Sequence, residues 1–292
     1  MTLREAYMRA SSFLVERGVD EASASAELLL QHVLGINRTR LLLLWSDPIA
    51  DEAFDRLWTL IQRRAAGEPV QYIIGETYFY GRPFAVSRDV LIPRPETELL
   101  AERIIALGRR LWPEGGEAGH VPLAIDVGTG SGAIAVTVAA ECPSWRVAAL
   151  DISAEALAVA RGNAERNGVD ERIAFLEGDL LAPAKREYNG GIDILISNPP
   201  YIPSDVIEDL QIEVRGFEPR LALDGGSDGL LPYRTMLEQM GEYELWPRLV
   251  GFEVGLGQAQ ELARMLRETG RWTDLEVVED LAGIERHVMA WR

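Results

Sequence analysis

The chain has 292 residues, 47% of them hydrophobic and 26% charged, with a formal net charge of −17 from 29 Lys+Arg against 46 Asp+Glu. That balance opposes electrostatic binding to phosphate backbones, which needs a basic face, so direct nucleic-acid binding is not expected. A single cysteine excludes an internal disulfide, three scattered histidines show no metal-ligand spacing, and no run approaches a membrane span or a signal peptide, so a metal-free cytoplasmic protein is expected.

Residues 1–70 read as a small helical bundle. "TLRE" at Thr2–Glu5 has capping-box spacing, with Thr2 as N-cap and Glu5 reaching back. Asp20 opens a second helix carrying Ala24, Leu28, Leu29 and Val33, with Gly35 as its stop. A shorter helix is expected around Arg38–Leu44, and Asp51 opens another with Phe54, Leu57, Trp58 and Ile61 at helical spacing, ending at Gly67. Residues 71–96, rich in aromatics, glycine and β-branched residues and closing on Pro93 and Pro95, read as a hairpin-like linker. A helix is expected at Thr97–Arg110, and "PEGGEAGH", residues 113–120, reads as a flexible loop.

Within residues 97–292, from Val121 onward, strand and helix alternate. Strands fit Leu123–Val127, Val147–Leu150, Arg172–Leu176, Ile192–Ser197 and Leu249–Val254, and helices fit Gly132–Glu141, Ala154–Asn167, Tyr233–Met240 and Ala259–Glu268. The alternation predicts an α/β fold with a mostly parallel, doubly wound sheet. The end departs from it: "DLEVVED" and "ERHVMAWR" are joined by "LAGI" alone, and so short a connection joins only antiparallel strands.

"LAIDVGTGSGAIAV" places Gly128, Thr129, Gly130, Ser131 and Gly132 between the first of these strands and its helix. Glycines there let backbone amides approach a ligand at a helix N-terminus. Asp151, ending the next strand, is placed to grip ribose hydroxyls. The loop also satisfies the dinucleotide fingerprint G-x-G-x-x-A through Ala133, so by itself it indicates an adenosine cofactor of either kind. The antiparallel pair favours S-adenosylmethionine over a nicotinamide. Asp179, in "LEGDLL", either accepts from an adenine amino group or is a solvated turn residue.

The informative stretch is "ISNPPYIPSD", Ile196–Asp205, at the end of the fourth strand of this sheet. Ligands of open α/β sheets lie outside the carboxyl ends of the strands. There the amide oxygen of Asn198 and the carbonyl of Pro199 can both accept from one planar –NH2 group. Pro199 and Pro200 hold these acceptors rigid, and Tyr201 offers a face for a planar amide or base. Such a site suits a nitrogen nucleophile.

The tetrapeptide resembles the motif of amino-methyltransferases that modify adenine, guanine or glutamine nitrogens, which share a seven-stranded S-adenosylmethionine methyltransferase sheet. "LIPRPETE" at Leu91–Glu98, "YIIGETYFYGRPFAV" before it, "FEPRLAL" at Phe217–Leu223, "EVGLGQ" at Glu253–Gln258 and "DLAGIER" at Asp280–Arg286 resemble the protein-(glutamine-N5) methyltransferases of peptide-chain release factors, the HemK/PrmC family. The resemblance runs over nearly the whole chain. It implies S-adenosyl-L-methionine as cofactor, S-adenosyl-L-homocysteine as product, and class 1 release factors, through the glutamine of their Gly-Gly-Gln motif, as substrate. It places the cofactor at Gly128–Gly132, Asp151, Asp179, Leu180 and Asn198, and the substrate at Asn198, Pro199, Pro200 and Tyr201. Leu180 stands where some relatives carry an aromatic beside the adenine. The competing readings are a nucleic-acid adenine N6-methyltransferase and a ribosomal-protein glutamine methyltransferase. A monomer is expected, with the bundle and Arg63, Arg64, Arg82, Arg88 and Arg94 forming the docking surface for the release factor.

Overall fold

The computed structural model describes residues 1–113, 120–188 and 191–292, so most of the expected loop at 113–120 lies outside the described residues. The chain forms two compact units, Met1–Glu76 with Gln211–Phe217, and Thr77–Leu210 with Glu218–Arg292. A short segment far along the chain thus joins the first unit.

The first unit contains α1 (Leu3–Glu16), α2 (Ala22–Leu34), α3 (Arg38–Leu43), α4 (Asp51–Ala65) and α5 (Val70–Ile74). The Thr2–Glu5 capping box is formed in both directions. Gly35 closes α2 in the left-handed conformation, but the N-cap of α2 is Glu21, not Asp20. The buried stripe of α2 also differs from the expected one. Ala26, Leu29 and Leu30 are buried, while Leu28 points outward. They pack with Leu14, Leu41, Leu57 and Ile61. Four of the five arginines expected at the docking surface have carboxylate partners. Arg64 is buried and holds Glu213 at 2.7 Å, while Arg63 pairs with Glu68, Arg82 with Glu141 and Arg94 with Glu218. Each of these pairs lies within one unit, and Arg64, the buried one, needs its local counter-charge most.

The second unit runs through the hairpin β1 (Glu76–Phe79) and β2 (Arg82–Ala85), α6 (Pro95–Leu111), β3 (Leu123–Val127), α7 (Ala133–Glu141), β4 (Arg146–Asp151), α8 (Ala154–Arg166), β5 (Ile173–Glu177), α9 (Ala182–Glu187) and β6 (Ile194–Ser197). After α10 (Ile212–Arg215), which belongs to the first unit, it continues with α11 (Leu231–Glu242), β7 (Leu249–Glu253), α12 (Ala259–Glu268), β8 (Asp274–Glu279) and β9 (Glu285–Trp291). Helix α6 starts at Pro95, two residues before the expected Thr97, because proline is suited to the first helical position.

The sheet order is β5-β4-β3-β6-β7-β9-β8. Strands β3 to β7 pair in parallel, and β9 is antiparallel to both β7 and β8. The expected seven-stranded, mostly parallel sheet with a terminal antiparallel pair is present. Every residue of β3, β6 and β7 is buried, as parallel strands covered on both faces require. Ala124, Ile194 and Leu249 face a core with α6, α7 and the hairpin. Ile125, Leu195 and Val250 face the opposite core with α11 and α12. From β3 the chain winds outward through β4 and β5, then returns to β6 on the other side. The carboxyl ends of β3 and β6 thus flank the switch point, where a crevice opens in such sheets.

Candidate active site

A cavity of about 390 Å³ lies at that switch point. Gly128 and Gly130, after β3, have φ of +71° and +54°, and a Cβ built on either would meet nothing within 4 Å. The positive φ favours glycine at both positions, and the open space leaves their backbone facing the cavity. Gly132 differs, since a Cβ there would come 3.0 Å from that of Ala160. A side chain there would press on α8, so glycine lets α7 and α8 pack closely at this point.

The loop is braced by two carboxylates. Asp151 Oδ2 accepts from Gly130 N at 2.8 Å and its Oδ1 from Ser153 N at 2.9 Å. Burial raises the Asp151 pKa, against these backbone hydrogen bonds. Asp126, fully enclosed in β3, accepts from Thr129 Oγ1 at 2.6 Å and Ala135 N at 3.1 Å through Oδ2, and its Oδ1 has no partner among the described residues. Burial pushes its pKa up to about 7. Asp179 is exposed and Leu180 half-buried, and both line the cavity beside the glycine loop. Leu180 holds a φ of +45°, a rare backbone for leucine.

At the end of β6, Asn198 and Pro200 line the same cavity. Ser197 Oγ ties β6 to β3 by donating to Val127 O at 2.7 Å. Asn198 Nδ2 donates to Thr97 Oγ1 at 3.1 Å, and Thr97 Oγ1 donates to Glu253 Oε2 at 2.6 Å. Pro199 is buried, and Tyr201 is half-buried against the α11–α12 core rather than lining the cavity. Burial, with the Glu253 charge, pushes the Tyr201 hydroxyl up to about 12. Gln258 Nε2 pins Tyr201 O at 2.9 Å. The structure therefore brings Gly128–Ser131, Asp151, Asp179, Leu180, Asn198 and Pro200 to one cavity, and sets Pro199 and Tyr201 behind it. Thr97 and Glu253 escaped the sequence reading. Both lie in the segments "LIPRPETE" and "EVGLGQ", but no spacing rule joins residues so far apart in the chain.

The open Cβ positions at Gly128 and Gly130, with a carboxylate one strand away, fit an adenosine cofactor of the S-adenosylmethionine kind. Together with the strand order, they define a seven-stranded methyltransferase. Residues 111–212 match the family described as the methyltransferase small domain, and residues 5–75 match the PrmC N-terminal domain. The chain is 40% identical over 290 residues to the release factor glutamine methyltransferase of Bacillus cereus, covering 99% of each chain, and 41% identical over 289 residues to that of Bacillus subtilis, covering 99% of this chain and 97% of the relative. That of Chlorobaculum tepidum is 41% identical over 276 residues, 94% of this chain and 92% of the relative. The chain belongs to the release factor glutamine methyltransferase family. Its fold resembles the crystal structures of the human METTL16 catalytic domain with an RNA hairpin (TM-score 0.55, 16% identity, 82% of each chain) and of the N-terminal domain of human METTL16 with SAH (TM-score 0.51, 18% identity, 84% of each chain). No helix among the described residues is long and apolar enough to cross a membrane.

Proposed function

We propose that this chain transfers a methyl group from S-adenosyl-L-methionine to the side-chain amide nitrogen (N5) of the glutamine in the Gly-Gly-Gln motif of class 1 peptide-chain release factors. The observation that carries the reading is a single cavity with the glycine loop and Asp151 on one side and Asn198 on the other.

S-adenosyl-L-methionine, when bound, supplies an electrophilic methyl group and leaves as S-adenosyl-L-homocysteine. The backbone of Gly128–Gly130 and the carboxylate of Asp151 hold it, with Asp151 accepting from the ribose hydroxyls and Asp179 and Leu180 flanking the adenine. On the substrate side, Asn198 Oδ1 and the Pro199 carbonyl accept the two hydrogens of the glutamine –NH2. These contacts orient the nitrogen lone pair and draw off positive character as it attacks; the N–CH3 bond forms as the S–CH3 bond breaks, and one N–H proton leaves to water. Tyr201, expected to pack on the substrate amide, lies behind the cavity and backs the Asn-Pro-Pro segment instead. Because the prolines and the Ser197 tether fix the acceptors, little reorganisation accompanies the reaction. A glutamine on a protein loop offers few atoms to recognise. The N-terminal helical unit supplies the second contact, with surfaces other than the internally paired arginines.

The test is incubation of the purified protein with methyl-labelled S-adenosylmethionine and a class 1 release factor. One methyl group on the Gly-Gly-Gln glutamine is expected, and none when that glutamine is replaced by alanine. Label persisting in the alanine variant, or absent from the natural factor, overturns the reading.

A further inference from the structure

Two residues outside the Asn-Pro-Pro-Tyr segment decide which way the Asn198 amide faces. Thr97 Oγ1 lies 2.6 Å from Glu253 Oε2 and 3.1 Å from Asn198 Nδ2. A carboxylate has no proton to give, so the hydroxyl is the donor at the shorter contact. Its only proton is then committed, and Thr97 meets Asn198 with lone pairs alone. The Asn198 atom at that contact must be the nitrogen, and its oxygen is turned away from Thr97. A flipped amide would set two acceptors against each other.

Thr97 and Glu253 are both buried, at 4% and 2% exposure, and Thr97 meets the cavity beside Asn198. Thr97 is fixed in the first turn of α6, where its N–H donates to Arg94 O at 3.1 Å. The Glu253 backbone is fixed by β7 and by the Tyr233 hydroxyl, which donates to its carbonyl at 2.6 Å.

We propose that Thr97 and Glu253 are positioning residues that hold the Asn198 amide with its oxygen toward the methyl-accepting nitrogen. The proposal rests on Asn198 being the acceptor for the substrate amide. An Asn198 free to flip presents its own –NH2 to the substrate –NH2 in part of the population, donor against donor. Directional preorganisation of this kind acts on the chemical step more than on binding.

Thr97→Val keeps the shape and removes the oxygen, whereas Thr97→Ser restores it. With a Gly-Gly-Gln peptide, Thr97→Val should lower kcat by about 10- to 100-fold while KM and calorimetric cofactor affinity change less than about threefold, and Thr97→Ser should stay within about threefold of the parent. The side-chain –NH2 resonances of Asn198, identified by their loss in Asn198→Ser, should shift in Thr97→Val and return in Thr97→Ser. An undiminished kcat in Thr97→Val, or equal losses in Thr97→Val and Thr97→Ser, overturns the proposal. Should Thr97→Val not fold, Thr97→Ala carries the test, because it also removes the oxygen that accepts from Asn198. A lowered kcat with an unchanged melting curve supports the proposal, and an unchanged kcat overturns it. If the parent protein methylates no glutamine, the functional reading itself falls. If the parent is active and Thr97→Val equals it, only the positioning role falls.

Discussion

Asp151 and Gly130 are joined directly, Oδ2 to N–H at 2.8 Å, so the acid ending β4 and the glycine loop leaving β3 form one rigid element. Asp151→Ala removes that brace together with the acceptor for ribose hydroxyls. A hydrogen bond to a charged acceptor is worth roughly 1.5–3 kcal/mol, or about 10- to 150-fold in affinity. Calorimetry should show S-adenosylmethionine weakened by that range in a folded variant. Unchanged affinity would remove Asp151 from the site.

Asn198→Ala should leave cofactor affinity nearly intact and lower kcat by ~10²–10³, the usual loss when one preorganised polar contact is removed. Steady-state kinetics on intact release factor would measure it, and full activity would refute the acceptor role.

The positions of these two residues were legible in the sequence for a physical reason. β3, β6 and β7 are buried on both faces and therefore read as continuous apolar runs, so their carboxyl ends could be located to within a residue or two. The "LAGI" connection left only an antiparallel pairing for β8 and β9. Helices α5, α9 and α10 were not legible, because runs so short show no period and none begins on a capping side chain, as α3 does on Asn37. Nor was the outward turn of Leu28. A run of three leucines fits several helical faces, and packing against α1 and α4 selects among them. Thr97 and Glu253 act through a contact between distant parts of the chain that no local pattern encodes.

Asp126 makes stability depend on pH. Its pKa rises from 3.8 to about 7 on folding because burial penalises the charge. A raised acid pKa contributes stability that is full below the unfolded value and lost as pH climbs through the folded one. By pH 8 the native state carries an enclosed carboxylate whose Oδ1 has no partner among the described residues. Asp126→Asn keeps an oxygen for Thr129 and Ala135 and discards the charge. At roughly 2–4 °C per kcal/mol, its Tm should exceed that of the parent by several degrees at pH 8, with the gap closing toward pH 5. A variant less stable than the parent at pH 8 would contradict this.

Gly229 has a φ of +74°, and a Cβ there would fall 2.1 Å from Tyr201 O and 2.3 Å from Gln258 Nε2. Gly229→Ala must therefore displace the backbone of the Asn-Pro-Pro-Tyr segment, and a shift of about 1 Å near the reacting atoms costs on the order of 10² in rate. Gly257→Ala is the control, with a φ of +82° but nothing within 4 Å of its Cβ. It should lose only about 1–2 kcal/mol of stability to the left-handed backbone and keep its rate. Equal kinetics in the two variants would dismiss the contact.

If the helical unit reads the partner, intact release factor should exceed a short Gly-Gly-Gln peptide in kcat/KM by at least ~10², with the difference mainly in KM. Comparable values for both substrates would assign recognition to the catalytic unit alone.

The strand order has a consequence for local opening. β9 lies between β7 and β8 and carries His287 opposite Glu253. Among the described residues β8 reaches the sheet only through β9. An opening that frees β9 from β7 therefore carries β8 away with it and uncovers Glu253, so fraying at that edge of the sheet reaches the carboxylate that holds Thr97.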